Sequence, residues 1–256
     1  GPGSAKEFSA LVHRNVPDLE VVSKGNCYPL YVYDMDGEAD LLTQPGGGTG
    51  RRDAISDDGL ATFRKVYQDD SITKKDIFYY VYGVLHSPEF RKEYALDLRK
   101  VLPRIPFAGD FWAFSNGGKA LAELHLDYEK VEPYPLVEQS GQLKLDPGAD
   151  TKVVQMRFAK RGKQEDKSTL IVNSHLTLSG IPHDTQDYIV NGKPAIEWVI
   201  ERFARDTDRA SGIVNDPNTW SDDPAYIVNL IKRVVRVSVE TMKIVRGLPP
   251  LNERKV

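Results

Sequence analysis

Hydrophobic and polar positions along the chain alternate first with a strand-like period and then with a helical one. Leu19-Glu20-Val21-Val22 and Tyr28 to Tyr33 flank a turn at Lys24-Gly25-Asn26, and their aromatic and β-branched residues predict a hairpin. Pro29 restricts its strand to an edge or makes it the first strand residue. Gln44 to Gly50, with four glycines and a proline, reads as a flexible connector. A helical block follows. Asp57 or Asp58 caps a short helix ending near Tyr67, and Thr73 with Asp76 forms a capping box for a helix through Leu85. In that helix Ile77, Tyr80, Val81 and Val84 share one face. Ser87-Pro88-Glu89 supplies a cap, a first-turn proline and a dipole-matched acid for a helix to about Val101, before Pro103 and Pro106. A further helix is expected from about Gly118 to Tyr128.

Val131 to Pro147 reads as irregular or β. Strands are expected at Lys152–Ala159 and Thr169–Leu178, joined by a long polar hairpin loop from Lys160 to Asp166. Helices then cover Pro194–Ala204 and Asp223–Val245, the second capped by Ser221 or Asp222 and ended by Gly247, Pro249 and Pro250. The fold class is α+β: helical subdomains packed around a mixed or antiparallel β region with a long basic hairpin.

Charge alters this picture more than composition does. The net charge of -3 is mildly acidic, but Thr151–Lys167 sets six basic residues against Glu165 and Asp166. Asn229–Arg246 sets Lys232, Arg233, Arg236, Lys243 and Arg246 against Glu240. The remainder is strongly acidic, so a basic face is expected. The single cysteine, Cys27, excludes an internal disulfide and, with no signal peptide, points to a reducing cytoplasm. No apolar run reaches the roughly 18 residues of a membrane span. Gly1-Pro2-Gly3-Ser4 resembles a cleaved-tag remnant, and the native sequence then begins at Ala5 without methionine. A longer parent protein is the expectation.

Tests for chemistry return mostly negatives. The glycine run at Gly46 has no buried strand before it and no Gly-Lys-Ser/Thr after it, as a phosphate loop requires. His13, His86, His125, His175 and His183 lack paired ligand spacing, so no metal site is expected. No nucleophile elbow is present, and the Asp57-Asp58, Asp69-Asp70 and Asp222-Asp223 pairs fit caps and turns. Ser115-Asn116-Gly117-Gly118-Lys119 reads as a helix start, with capping favoured over anion binding. Arg157, Lys160, Arg161 and Lys163 on the hairpin, Arg51 and Arg52 after the connector, and Lys232 and Arg236 on the last helix are the candidate DNA contacts. A solvated turn and a dipole-compensating helix end are the plainer alternatives.

Longer phrases carry more. Ile72 to Arg91, Leu102 to Pro106, Asp110 to Phe114, Leu124 to Glu129, Ala195 to Val199, Ser211 to Asn218 and Val237 to Thr241 together resemble the C-terminal target-recognition region of type ISP restriction-modification enzymes. The resemblance implies a parent that joins a nuclease, a helicase-like ATPase and an adenine N6-methyltransferase to this region. It also implies S-adenosylmethionine, ATP and Mg for that parent, and no cofactor here, since the Asn-Pro-Pro-Tyr-type motif and the phosphate loop are missing. The implied partners are double-stranded DNA and an upstream methyltransferase domain, with no membrane. On this reading residues 5–50 form a hairpin seam and linker, 51–130 a helical subdomain, 131–182 a β region and 183–256 a second helical subdomain. The competing reading is a coupling module that docks on the parent's other domains, which an exposed aromatic patch at Phe111, Trp112 and Phe114 would favour. An enzyme in its own right is the third reading, and the missing motifs weigh against it.

Overall fold

The structure is a computed structural model that describes residues 8–18, 25–34, 50–100, 104–140 and 151–254. The chain divides into two compact units, one formed by Ala10–Glu123 with Gly247–Val256 and the other by Gly1–Ser9 with Leu124–Arg246. The strand expected at Leu19–Val22 and the connector at Gln44–Thr49 lie outside the described residues.

In the first unit β1 (Tyr31–Asp34) pairs antiparallel with β2 (Gly50–Asp53), so the strand after Pro29 finds a partner beyond the connector. Helix α1 (Asp57–Tyr67) is capped by Ser56, whose side chain accepts from Gly59 N; Asp57 and Asp58 occupy the first turn instead of the cap. There their charges favour the helix dipole. Helix α2 (Lys74–His86) opens on the expected Thr73–Asp76 capping box, with both reciprocal hydrogen bonds present. Ile77, Tyr80 and Val84 are buried, as the helical period requires.

Helix α3 (Pro88–Glu93) starts at the Ser87 cap but stops well short of Val101. Phe90 is fully buried, whereas Leu96 is 75% exposed, so the apolar stripe that would hold a longer helix against the core is lost. Helix α4 (Phe111–Leu126) begins seven residues earlier than expected, with Asp110 Oδ1 accepting from Ala113 N at 2.9 Å. Ser115 to Lys119 therefore lie inside a helix, and no anion-binding helix start exists there. The glycines that suggested a start serve packing: a Cβ on Gly83 would lie 2.3 Å from Phe114 O, and one on Gly118 only 1.8 Å from Tyr79 O. The unit's core is aromatic, with Tyr80, Phe90, Phe111 and Phe114 joined by Ile72, Ile77, Val84, Ala108 and Leu251.

In the second unit β3 (Val137–Ser140), β4 (Arg157–Arg161), β5 (Gln164–Ile171) and β6 (Leu176–Ser179) form an antiparallel sheet in the order β3-β6-β5-β4. A small hairpin follows, β7 (Ile189–Val190) with β8 (Lys193–Pro194), turning through Asn191 and Gly192, both at positive φ. It leads into α5 (Ala195–Arg202). A second hairpin, β9 (Asp206–Thr207) with β10 (Val214–Asn215), precedes α6 (Tyr226–Arg246). Asp223 Oδ1 accepts from Ala225 N just before α6, in place of the expected Ser221 or Asp222 cap. Phe158, Leu170, Val172, Leu176 and Leu178 of the sheet share a core with Ile196 and Val199 of α5 and Ile227, Leu230, Ile231, Val234 and Val235 of α6. Both units are α+β, and among the described residues every strand pairing is antiparallel. Among the described residues no helix is long and apolar enough to cross a membrane.

Candidate nucleic-acid interface

The expected long loop from Lys160 to Asp166 is itself strand. Arg161 pairs with Gln164, leaving only Gly162 and Lys163 as turn residues. Gly162 has φ +66, the sign that a type II′ hairpin demands at its first central position. A polar run without apolar alternation reads as loop, but cross-strand backbone bonding needs no apolar side chain when both faces are in water.

Between Phe158 and Ala159 the ladder shifts register: Phe158 faces Leu170 and Ala159 faces Asp166, so Lys167 to Thr169 bulge out. Ser168 N and Oγ both donate to Asp166 Oδ1, at 3.1 and 2.6 Å, and fix this bulge. The Ser168 hydroxyl first, and the Arg161 guanidinium after it, hold the Asp166 carboxyl below its ordinary range. Phe158 and Leu170 anchor the base of the hairpin in the core, while Lys160 to Glu165 are all exposed. A bulge at that point re-aims the outer half of the ribbon.

The four basic residues here are brought together on one ribbon. Arg161 Nε donates to Asp166 Oδ2 at 2.8 Å yet its side chain stays 82% exposed. Arg157, Lys160 and Lys163 are exposed and make no ion pair among the described residues. Lys167 is bound to Glu197 at 2.7 Å.

The other candidates stand elsewhere. Lys232 pairs with Glu138 on β3, the opposite edge of the sheet from β4, roughly 14 Å away at about 4.8 Å per strand. Arg236 donates from Nε to Glu132 O at 3.2 Å and lies 5.2 Å from the Tyr134 ring. Arg233 reaches Val131 O in the same way. These side chains fasten the lead-in to β3 onto α6. Arg51 and Arg52 belong to the first unit, on β2; both are exposed, and Arg51 stacks 4.4 Å above Tyr31.

Sequence reasoning overlooked the β9–β10 hairpin as a surface element. Its tip is tightly bonded: Asp208 Oδ1 accepts from Ala210 N, Ser211 N and Ser211 Oγ at 3.0, 2.7 and 2.8 Å. Arg209, Ile213 and Val214 are exposed there, Ile213 by 67%. Because Arg205 and Arg209 flank Asp206 and Asp208, no net charge cluster marks the segment. The Asp-x-x-Ser-Gly turn chemistry was the available signal.

Among the described residues one His/Asp cluster has the spacing of a metal site, His183 with Asp184 and Asp187. Arg246 already holds both carboxylates, through Nη1 to Asp184 at 2.6 Å and Nη2 to Asp187 at 2.7 Å. A guanidinium thus stands where a cation would. The aromatic patch that would favour a coupling role does not form. Phe111 and Phe114 are buried, and the partly exposed Trp112 donates from Nε1 to Asp69 at 2.8 Å.

Comparison with known families then decides the class. The model of the Type ISP C-terminal specificity domain matches residues 1–230. The chain belongs to this family. A specificity domain is a recognition part and not a catalytic one, in line with the missing motifs. Solved structures that resemble this specificity domain include the following three. One is the "ATP-dependent Type ISP restriction-modification enzyme LlaBIII bound to DNA", 33% identical over 97% of this chain with a TM-score of 0.81. Another is a nuclease-deletion mutant of the Type ISP enzyme LlaGI in complex with a DNA substrate mimic, 37% identical over 80% with a TM-score of 0.65. The third is a DrdV–DNA complex, 34% identical over 98% with a TM-score of 0.81. The specificity domain spans 15%, 15% and 24% of those chains, respectively. No curated protein matches.

Proposed function

We propose that this specificity domain binds duplex DNA sequence-specifically and holds it for an adenine N6-methyltransferase, with helicase and nuclease functions, in the rest of a longer protein. The observation that carries the reading is the β4–β5 ribbon, whose Arg157, Lys160 and Lys163 are exposed and unpaired among the described residues, with Arg161 between them. Family membership and three DNA-bound relatives support it.

Physically, a two-stranded ribbon fits the major groove, which is about 12 Å wide. Lysines on it give phosphate contacts that set position, and arginines can read base edges. A methyltransferase that flips its base out needs the flanking duplex held by a rigid partner. Anchoring the ribbon through Phe158 and Leu170 provides that rigidity. S-adenosylmethionine, ATP and Mg are what the family resemblance implies for the longer protein.

The test is anisotropy titration of a duplex selected from a randomised library by the wild-type chain. Wild-type affinity is expected to fall steeply with salt, as released counterions dictate. The combined variant Arg157→Glu, Lys160→Glu, Lys163→Glu is expected to lose most of its affinity. Unchanged affinity in that variant would exclude the ribbon as the contact, and no binding by the wild type at low salt would exclude DNA recognition.

A further inference from the structure

We infer that the β9–β10 hairpin is a second DNA-reading element, in which Arg209 reads a base edge and Ile213 packs against the base beside it. The inference rests on the DNA-binding reading above and adds a specificity-determining site to it.

The two hairpins share a root. Arg205 N, just before β9, donates to Val154 O at 2.9 Å. Just after β10, the Asn218 side chain both accepts from Val153 N and donates to Val153 O, each at 2.8 Å. Val154 lies three residues upstream of Arg157, where the basic ribbon begins. Three hydrogen bonds thus clamp both ends of β9–β10 to the segment that feeds β4. A duplex contacting Arg157 would therefore meet the ribbon only three residues in sequence from this root.

The tip is built to present side chains and not to flex. Asp208 O also accepts from Gly212 N at 2.8 Å, and Asp208 N donates to Ile213 O at 2.9 Å, closing the turn from both sides. The carboxylates around it have local partners: Asp206 takes Thr207 N, Asp208 takes Ala210 and Ser211, and Asp216 takes Asn218 and Arg205. Arg209 has no partner among the described residues. Ile213 and Val214 are 67% and 49% exposed, so both side chains are free to meet a ligand.

Charge decides which part of the duplex is met. Asp206 and Asp208 cancel Arg205 and Arg209, so the hairpin gains nothing from general attraction to phosphate. A forked guanidinium held by a rigid tip matches the paired acceptors of a guanine edge, and an exposed isoleucine matches a thymine methyl. Both are base contacts, which carry sequence information.

The experiment compares wild type, Arg209→Ala and Arg209→Lys on the selected duplex and on a scrambled duplex, across a salt series. Circular dichroism melting checks each fold. Arg209→Ala is expected to bind the selected duplex about ten- to a hundred-fold more weakly, the worth of one bidentate base contact. Its affinity for the scrambled duplex and its salt slope are expected to stay as in wild type. Arg209→Lys, which keeps the charge but loses the fork, should lose discrimination as well. Unchanged preference in Arg209→Ala overturns the inference while leaving the ribbon reading intact. Equal weakening on both duplexes with a shallower salt slope also overturns it, by making Arg209 a phosphate contact. If the wild type binds neither duplex, both readings fall together.

Discussion

Gly83 of α2 and Gly118 of α4 face each other where the two helices cross, with the backbones in near contact. A Cβ on Gly118 would sit 1.8 Å from Tyr79 O and 2.6 Å from Gly83 N. Both neighbours are backbone, so neither can swing aside. Alanine normally favours a helix over glycine by about 1 kcal/mol. Here the sign should reverse. Gly118→Ala is expected to destabilise the first unit by about 3 kcal/mol or more, beyond the usual cost of overpacking. Urea denaturation followed by far-ultraviolet circular dichroism measures it, and a stabilised variant would refute the close crossing.

Tyr80 ties the same unit together through its hydroxyl. It donates to Pro106 O at 2.7 Å and accepts from Ala108 N at 2.6 Å. Tyr67 adds a hydrogen bond to Ala108 O at 2.8 Å, and burial pushes both phenols above their ordinary range. Tyr80→Phe keeps the ring stack on Phe111, 5.0 Å between centroids, but leaves a buried N–H and a buried C=O without their partner. The expected loss is about 1–3 kcal/mol. Tyr80→Phe as stable as wild type in urea would show that water satisfies those groups.

His125 gives the second unit a pH dependence. Its ring stacks on Tyr188 at 5.4 Å, and Nε2 lies 2.9 Å from Thr241 Oγ1. Burial disfavours the imidazolium and lowers the pKa from 6.5 to about 4. The unfolded chain binds the proton first, so the contribution to stability is complete above pH 6.5 and is lost as pH falls from there towards 4. A depression of that size corresponds to roughly 3 kcal/mol. His125→Phe, which keeps the stack, should flatten the stability profile between pH 6.5 and 4. An unaltered slope in that window would assign the dependence to other groups.

The residues that misled sequence reasoning did so for specific physical reasons. Capping chemistry at Thr73–Asp76 and Ser87–Pro88 is local, and both helices begin where those residues put them. Gly117-Gly118 reads as a break because the contact that requires glycine lies 35 positions earlier, at Gly83. The Asn191-Gly192 pair carries its hairpin in two residues, with φ +50 and +87, yet its strands are too short to show alternation. On the β4–β5 ribbon, the cluster around Lys160 is visible in the sequence as charge alone. What charge cannot reveal is pairing: Lys232 and Arg236 look like their hairpin counterparts in sequence, but they engage Glu138, Glu132 and Tyr134.

That difference separates two kinds of lysine on the same protein. Lys160 is exposed on the ribbon, whereas the Lys232 side chain is 13% exposed and paired with Glu138. Neutralising a lysine that meets a phosphate removes one released counterion, so Lys160→Gln should lower the log–log salt slope of DNA binding by about one. Stability should hardly move, because the side chain has no partner to lose. Lys232→Gln should behave oppositely, costing about 1 kcal/mol of stability, with the ion pair's share limited by solvent at Glu138. Its salt slope should match that of the wild type. Paired measurements of melting and of affinity from low to moderate salt distinguish the two. A slope that falls in Lys232→Gln but not in Lys160→Gln would move the DNA contact from the ribbon to the α6 edge of the sheet.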